Sequence, residues 1–289
     1  MVNLNELLIC AVCHSDLVRS NGSVSCSRCG RNYSLNENIH NMTPLPPPDE
    51  LLKSKWDTWQ KLQDNGLFSY TNAPELNLSV GPREDALAFK AFCQLSGVIL
   101  DVGCGPQTYP SYLPGTGAVV GIDPLLGQQP RGFAFVQGIG EYLPFRDGTF
   151  DHILYATSLD HMLVPRHSLA ESTRCLKPGG CLNLWLDSQA ATYEPVGQSR
   201  FKQVTVLAKK GFKSLSRHGW MNKMGLRRTL SYMGSVAKMK VPQGAIDYFH
   251  FEHLTLEVVT RWLDELNLVI GKQQEYPLAD SLFIQAKRQ

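Results

Sequence analysis

The chain has 289 residues, 43% of them apolar and 19% charged, with a formal net charge of +2. That is enough for one large domain and a small one. No apolar run reaches the roughly 20 residues of a membrane-spanning helix, and the first residues lack the basic leader and cleavage site of a secretory signal. Eight cysteines in so long a chain do not make a disulfide scaffold, so a reducing, cytoplasmic setting is expected. The small net charge hides an asymmetry. Residues 189–243 contain eleven basic side chains and one acid, a local +10 that leaves −8 for the rest. A field of that size favours an anionic partner.

In chain order, the first element is a pair of knuckles, Cys10-Ala-Val-Cys13 and Cys26-Ser-Arg-Cys29. Each Cys-x-x-Cys turns two thiolates onto one point. Two of them complete a tetrahedral four-sulfur site for a structural Zn²⁺, with Cys10, Cys13, Cys26 and Cys29 as ligands. Short strands at 23–25 and 32–35 complete a ribbon over residues 1–43. So small a unit draws much of its folding energy from the metal. The run Pro44-Leu-Pro-Pro-Pro48 is a stiff spacer. Asp49 caps a helix with Leu51, Leu52, Trp56, Trp59 and Leu62 on one side. Gly66 is expected to end that helix, with irregular chain over 67–80. A second helix is predicted at 84–95.

From Gly97 strands alternate with helices. Strands are expected at 98–102, 118–122, 133–137, 150–155 and 181–186, with a helix over 169–175 before Lys177-Pro-Gly-Gly180. A helix at 255–266 and strands at 269–276 and 281–286 close the chain. Repeated βα units of this kind imply a doubly wound α/β sheet with ligands at the strand C-termini. The first strand ends in Gly103-Cys-Gly105, where glycines let a ligand approach the backbone at the start of the next helix. The second ends in Asp123, whose carboxylate can accept both hydroxyls of a ribose.

These motifs resemble, in order, those of class I S-adenosylmethionine-dependent methyltransferases of the small-molecule and glycan type. The similarity lies in Val98-Ile-Leu-Asp-Val-Gly-Cys-Gly-Pro106, Val119-Val-Gly-Ile-Asp-Pro124, Gln137-Gly-Ile-Gly-Glu-Tyr-Leu-Pro-Phe145, Phe150-Asp-His-Ile-Leu-Tyr-Ala156 and Glu171-Ser-Thr-Arg-Cys-Leu-Lys-Pro-Gly-Gly180. The resemblance implies a Rossmann-like fold over 81–289, with a mostly parallel seven-stranded sheet and helices on both faces. Residues 44–80 then form a linker and helix. It also implies S-adenosylmethionine as cofactor. Asp101, Gly103, Cys104 and Gly105 would line its methionine end, and Ala156 would offer backbone to its amine. Asp123 would take the ribose, with Pro124, Gly140 and Glu141 around the adenine. Two positions depart from the pattern: Gln107 replaces the third glycine of the loop, and Ile139 stands where an acid often meets the adenine amino group.

Methyl transfer asks the protein to align a nucleophile and to take its proton. His161, oriented by Asp160, is placed for that on the rim after the fourth strand; packing beneath the cofactor is the alternative. A second cluster, Asp247-Tyr-Phe-His-Phe-Glu-His253, offers His250 as a base, a substrate contact or a metal ligand. Between them lies an insertion at 187–250, too long for a simple loop. Its basic residues interleave with apolar ones. That pattern fits a lid over a phosphate-bearing small molecule or sugar, a surface resting on an anionic membrane, or a grip on RNA.

The ribbon is similar to small zinc proteins that activate methyltransferases of RNA and release factors, which favours RNA. Leu143-Pro-Phe145 and Leu159-Asp-His161 look closer to enzymes of small molecules. The expected function is therefore O-methylation of a small molecule or sugar. RNA methylation is the second reading, and a non-catalytic zinc-ribbon adaptor the third. The acceptor and the oligomeric state are not fixed by the sequence.

Overall fold

The computed structural model describes residues 3–20, 23–36, 39–72, 83–115, 117–127, 131–190, 239–277 and 280–289. After a short α1 (Leu4–Leu7), the knuckle region forms β1 (Leu17–Ser20), β2 (Ser23–Cys26), β3 (Asn32–Asn36) and β4 (Ile39–Asn41), each antiparallel to the next. The four cysteine Sγ atoms converge to within 4.8 Å of one another. The Cys10–Cys29 pair is 3.6 Å apart and the Cys13–Cys26 pair 3.3 Å. Sulfurs bound to one zinc at about 2.3 Å lie roughly 3.8 Å apart at tetrahedral angles, so the spacing is close to that of a four-thiolate site.

The body contributes β5 (Val98–Val102), β6 (Ala118–Asp123), β7 (Ala134–Gln137), β8 (Phe150–Ala156), β9 (Leu176–Asp187), β10 (Leu268–Tyr276) and β11 (Ser281–Arg288). Its strand order is β7-β6-β5-β8-β9-β11-β10. Every pair from β7 to β9 is parallel, and β11 is antiparallel to both neighbours. The expected sheet of seven strands is, however, one of eleven. β4 pairs in parallel with β7, His40 opposite Val136, and so carries all four ribbon strands into the same sheet.

The join is apolar as well as hydrogen-bonded. Leu8, Tyr33 and Met42 are buried in one cluster with Leu143 and Phe145. Ile9 N–H donates to the Pro144 carbonyl at 3.0 Å. Burying a large apolar side chain stabilises by about 1.5–3 kcal/mol, so the ribbon draws on the body's core as well as on any metal.

Helices cover both faces. Alternation along the strands sends Ile99, Leu154 and Phe283 to the side of α3 (Glu84–Cys93), through Phe89 and Phe92. Leu100, Ile153 and Ile284 face the side of α4 (Pro165–Cys175) and α5 (Leu256–Glu265), through Leu169, Val259 and Leu263. No helix follows β5 among the described residues: 103–115 run as turns. Pro106, Pro110 and Pro114 remove backbone donors at intervals that no helix tolerates.

α2 (Glu50–Asn72) continues through Gly66 rather than ending there. A mid-helix glycine costs about 1 kcal/mol, and tertiary contacts on either side of it offset that. Ser69 is buried, Phe68 packs against the Met239, Val241 and Tyr248 cluster, and Asn65 Nδ2 donates to the carbonyls of Lys240 and Tyr248. At its start Asp49 Oδ1 accepts from Leu52 N–H at 2.8 Å. Of the 187–250 insertion, residues 191–238 lie outside the described residues, and so do the amphipathic basic helices expected there. No described helix is long and apolar enough to cross a membrane.

Candidate active site

The C-terminal ends of β5–β9 and the overlying α2 enclose a cavity of about 400 Å³, within the range of small-molecule sites. Its floor begins where β5 stops. Gly103 has φ +74°, and a Cβ there would fall 2.5 Å from Ser158 Cβ. Only glycine allows this approach of the backbone to the Ser158 side chain. Cys104 is fully buried and does not line the cavity. Gln107 Nε2 donates to the Cys104 carbonyl at 3.1 Å. The glycine it replaces serves close helix–strand packing, and with no helix after β5 that need is gone.

Asp123, at the end of β6, is 6% exposed. Its Oδ2 accepts from Gly105 N–H and its Oδ1 from Leu125 N–H, both at 2.8 Å. Burial raises its pKa to about 6, against the lowering effect of those two N–H groups and of Arg131. A carboxylate has about four acceptor positions; two are used, and two remain for a pair of ribose hydroxyls. Arg131 ties the two loops together by donating to the carbonyls of Gly105 and Leu125 at 2.9 and 3.0 Å.

Asp101 lies beneath, behind the cavity wall. Its Oδ2 accepts from the Tyr112 hydroxyl at 2.9 Å, while its buried Oδ1 has no hydrogen-bond partner among the described residues. Burial pushes it up to about 7, with Asp123 adding to the rise.

After β7, Gly138, Ile139 and Gly140 line the cavity. A Cβ at Gly140 would fall 2.1 Å from Ser168 Oγ. Ile139 packs with Leu52, Trp56, Trp59 and Leu163, so apolar contact with α2 replaces the acid expected there. Glu141 is turned inward. Its Oε1 accepts from Val164 N–H at 3.0 Å, and burial raises its pKa. It does not line the cavity either. Of the expected cofactor residues, Gly103, Gly105, Asp123, Pro124, Gly140 and Ala156 line the cavity; Asp101, Cys104 and Glu141 support the wall from behind.

Beyond β8 the chain turns through Thr157, a β-branched residue at φ +58°. Backbone strain of this kind clusters at functional rims. The following 3₁₀ turn (Leu159–His161) presents Asp160 and His161 to the cavity, and His250 meets them from the far end of the insertion. Rings of His161 and His250 lie 4.5 Å apart. Burial lowers the pKa of His161, as does His250, while Asp160 opposes the shift. The two clusters flagged separately in the sequence thus form one.

α2 supplies contacts that motif reasoning did not identify. Trp59 Nε1 donates to the His161 carbonyl at 3.2 Å, and Trp59, Ser69 and Tyr70 line the cavity. Burial, with Asp123 and Asp160 nearby, raises the Tyr70 pKa. The Trp56/Trp59 stripe was visible, but it gave no sign of what the helix covers. Arg131 had no motif at all.

A family model described as "Methyltransferase domain" matches residues 100–184, which run from β5 into β9. The match supports an S-adenosylmethionine-dependent methyltransferase domain of the class I, Rossmann-like kind. No curated protein matches the chain. Solved structures resemble it remotely. The 1,6-didemethyltoxoflavin-N1-methyltransferase of Burkholderia thailandensis, with S-adenosylhomocysteine bound, has a TM-score of 0.47 at 14% identity, covering 91% of this chain and 97% of that one. The YcgJ protein of Bacillus subtilis gives 0.44 at 14%, covering 72% and 99%. An S-adenosylmethionine-dependent methyltransferase of Mesorhizobium loti gives 0.41 at 15%, covering 70% and 96%. At these scores they carry no argument about substrate.

Proposed function

We propose that this chain is an S-adenosylmethionine-dependent methyltransferase that O-methylates a small molecule or sugar, one bearing phosphate or other negative charge, with a structural Zn²⁺ held by Cys10, Cys13, Cys26 and Cys29. The observation that supports this most is a single cavity with Asp123 and the glycine turns at one end and the Asp160, His161 and His250 cluster at the other. The residues present fit the cofactor. Asp123 keeps two acceptor positions, and the turns at Gly103 and Gly140, where a Cβ would clash, leave the backbone open to a ligand. Bound there, the cofactor supplies an activated methyl group. Asp160, His161 and His250 orient the acceptor hydroxyl and promote the loss of its proton, and α2 lies over the cavity above them.

Calorimetry with S-adenosylhomocysteine on the zinc-loaded full chain tests the cofactor reading. No binding would leave the adaptor reading in its place. Transfer of labelled methyl groups to hydroxylated and phosphorylated small molecules tests the acceptor. RNA remains the second reading because of the +10 charge over residues 189–243. Methyl transfer to RNA with none to small molecules would select it.

A further inference from the structure

We propose that Asp160, His161 and His250 form a two-histidine, one-carboxylate site for a divalent transition-metal cation at the acceptor end of the cavity. Their ligand atoms lie within 4.8 Å of one another. Asp160 Oδ2 is 3.4 Å from His250 Nε2, and Asp160 Oδ1 is 3.9 Å from His161 Nε2. Donor atoms held by one ion at about 2.1 Å are about 3.0 Å apart at right angles and about 3.4 Å apart at tetrahedral angles. Small side-chain adjustments close the difference.

Proton placement points the same way. His250 Nδ1 lies 2.9 Å from both oxygens of Asp247. Asp247 Oδ1 also accepts from the backbone N–H groups of Phe249 and His250, at 2.8 and 2.9 Å. That carboxylate is fixed as an acceptor, so the proton of His250 sits on Nδ1 and the Nε2 lone pair faces Asp160. The His250 Nε2 faces the Asp160 carboxylate at 3.4 Å, a separation that a shared proton or a cation between them would stabilise. A proton is shared by two atoms. Three convergent donors, with His161 as the third, describe a coordination site. A carboxylate behind the far nitrogen of a ligating imidazole is the usual outer-shell partner, fixing tautomer and ring orientation.

This donor set suits Fe²⁺ or Mn²⁺ and leaves further positions open. All three residues line the cavity, so an acceptor with oxygens on two adjacent atoms would be able to chelate an ion held there. An ion there lowers the pKa of a bound hydroxyl, whose proton is then lost to water before transfer. That role rests on the methyltransferase reading; the binding of the ion does not.

The test titrates the zinc-loaded full chain with MnCl₂ and follows free Mn²⁺ by electron paramagnetic resonance, with S-adenosylhomocysteine binding measured on the same samples. One saturable Mn²⁺ per chain is expected. It should be lost in His161→Ala and His250→Ala and weakened 10- to 100-fold in Asp247→Asn. Variants that retain S-adenosylhomocysteine binding are folded. Wild-type protein that binds S-adenosylhomocysteine but no Mn²⁺ overturns the metal site and leaves His250 and Asp160 sharing a proton. Mn²⁺ bound equally by both alanine variants also overturns it. Mn²⁺ uptake without S-adenosylhomocysteine binding supports the site and sinks the methyltransferase reading alone.

Discussion

Replacing Asp123 with Asn separates what this residue does for the cofactor from what it costs the fold. Burial raises its pKa from 3.8 to about 6. Because the folded-state value lies above the unfolded one, ionised Asp123 opposes folding. The penalty is absent below pH 3.8, grows as pH rises, and is complete above about 6, where it amounts to about 3 kcal/mol. Asn removes it. But an amide offers one oxygen where the carboxylate offers two, so either Gly105 N–H or Leu125 N–H then faces a second donor, at a cost of about 1–3 kcal/mol. At pH 7.5 the two effects nearly cancel, and the Tm of Asp123→Asn should stay within a few degrees of wild type. At pH 4.5 most of the wild-type penalty is gone, and the wild type should be more stable by about 2 kcal/mol. Cofactor binding should behave differently. Losing the charge behind two ribose hydroxyls costs about 3 kcal/mol, on the order of a hundredfold in affinity. Calorimetry with S-adenosylhomocysteine at pH 5, 6 and 7.5, paired with thermal melts, reads both. The ratio of wild-type to variant affinity should fall about tenfold per unit below pH 6. Asp123 adds to the rise of the Asp101 pKa, so Asp101 titrates lower in the variant, and the same pair of measurements in an Asp101→Asn background isolates Asp123. A ratio independent of pH, or a variant that melts far below wild type at pH 7.5, would refute the reasoning.

Three further outcomes follow from the geometry. Gly103→Ala forces a side chain into a left-handed position 2.5 Å from Ser158 Cβ; it should cost at least about 2 kcal/mol in a denaturant melt and abolish S-adenosylhomocysteine binding. Trp59→Phe removes the donor to the His161 carbonyl and the five-membered half of the indole, at about 1–3 kcal/mol. Trp59→Ala, which empties a buried site, should cost about 3–5 kcal/mol by the same melt. With Zn²⁺ on the four knuckle cysteines, as proposed, a strong chelator should lower the Tm of one cooperative transition, because ribbon and body share a core. A separate early transition, with the main one unmoved, would count against that coupling.

What could be foreseen follows the range of the forces involved. β5 falls on the expected residues 98–102 because an apolar run bounded by Gly97 and Gly103 is a local signal. The knuckle cysteines converge as expected for the same reason. The length of α2 was misjudged because Gly66 is a local breaker, whereas the contacts of Asn65 and Phe68 with residues 239–248 are distant in sequence. The missing helix after β5 was legible in three prolines but was outweighed by the glycine motif before them. Two pairings had no local signature. One is His40 with Val136, which enlarges the sheet. The other is Asp160 and His161 with His250, which merges two clusters into one. Both are set by topology rather than by neighbouring residues.

The pairing of β4 with β7 also decides where the sheet stops. Without residues 1–43, β7 would be a border strand of buried Phe135 and Val136, with a row of unpaired peptide groups ready to recruit another chain. As built, the border falls instead on β1, four residues long, with Arg19 on it and Val18 as its one large apolar exposure. A short, charged border is a poor template for strand addition. Whatever else the ribbon does, it covers a strand edge that the body would otherwise expose, so a body freed of its ribbon should lose solubility even where its cavity survives.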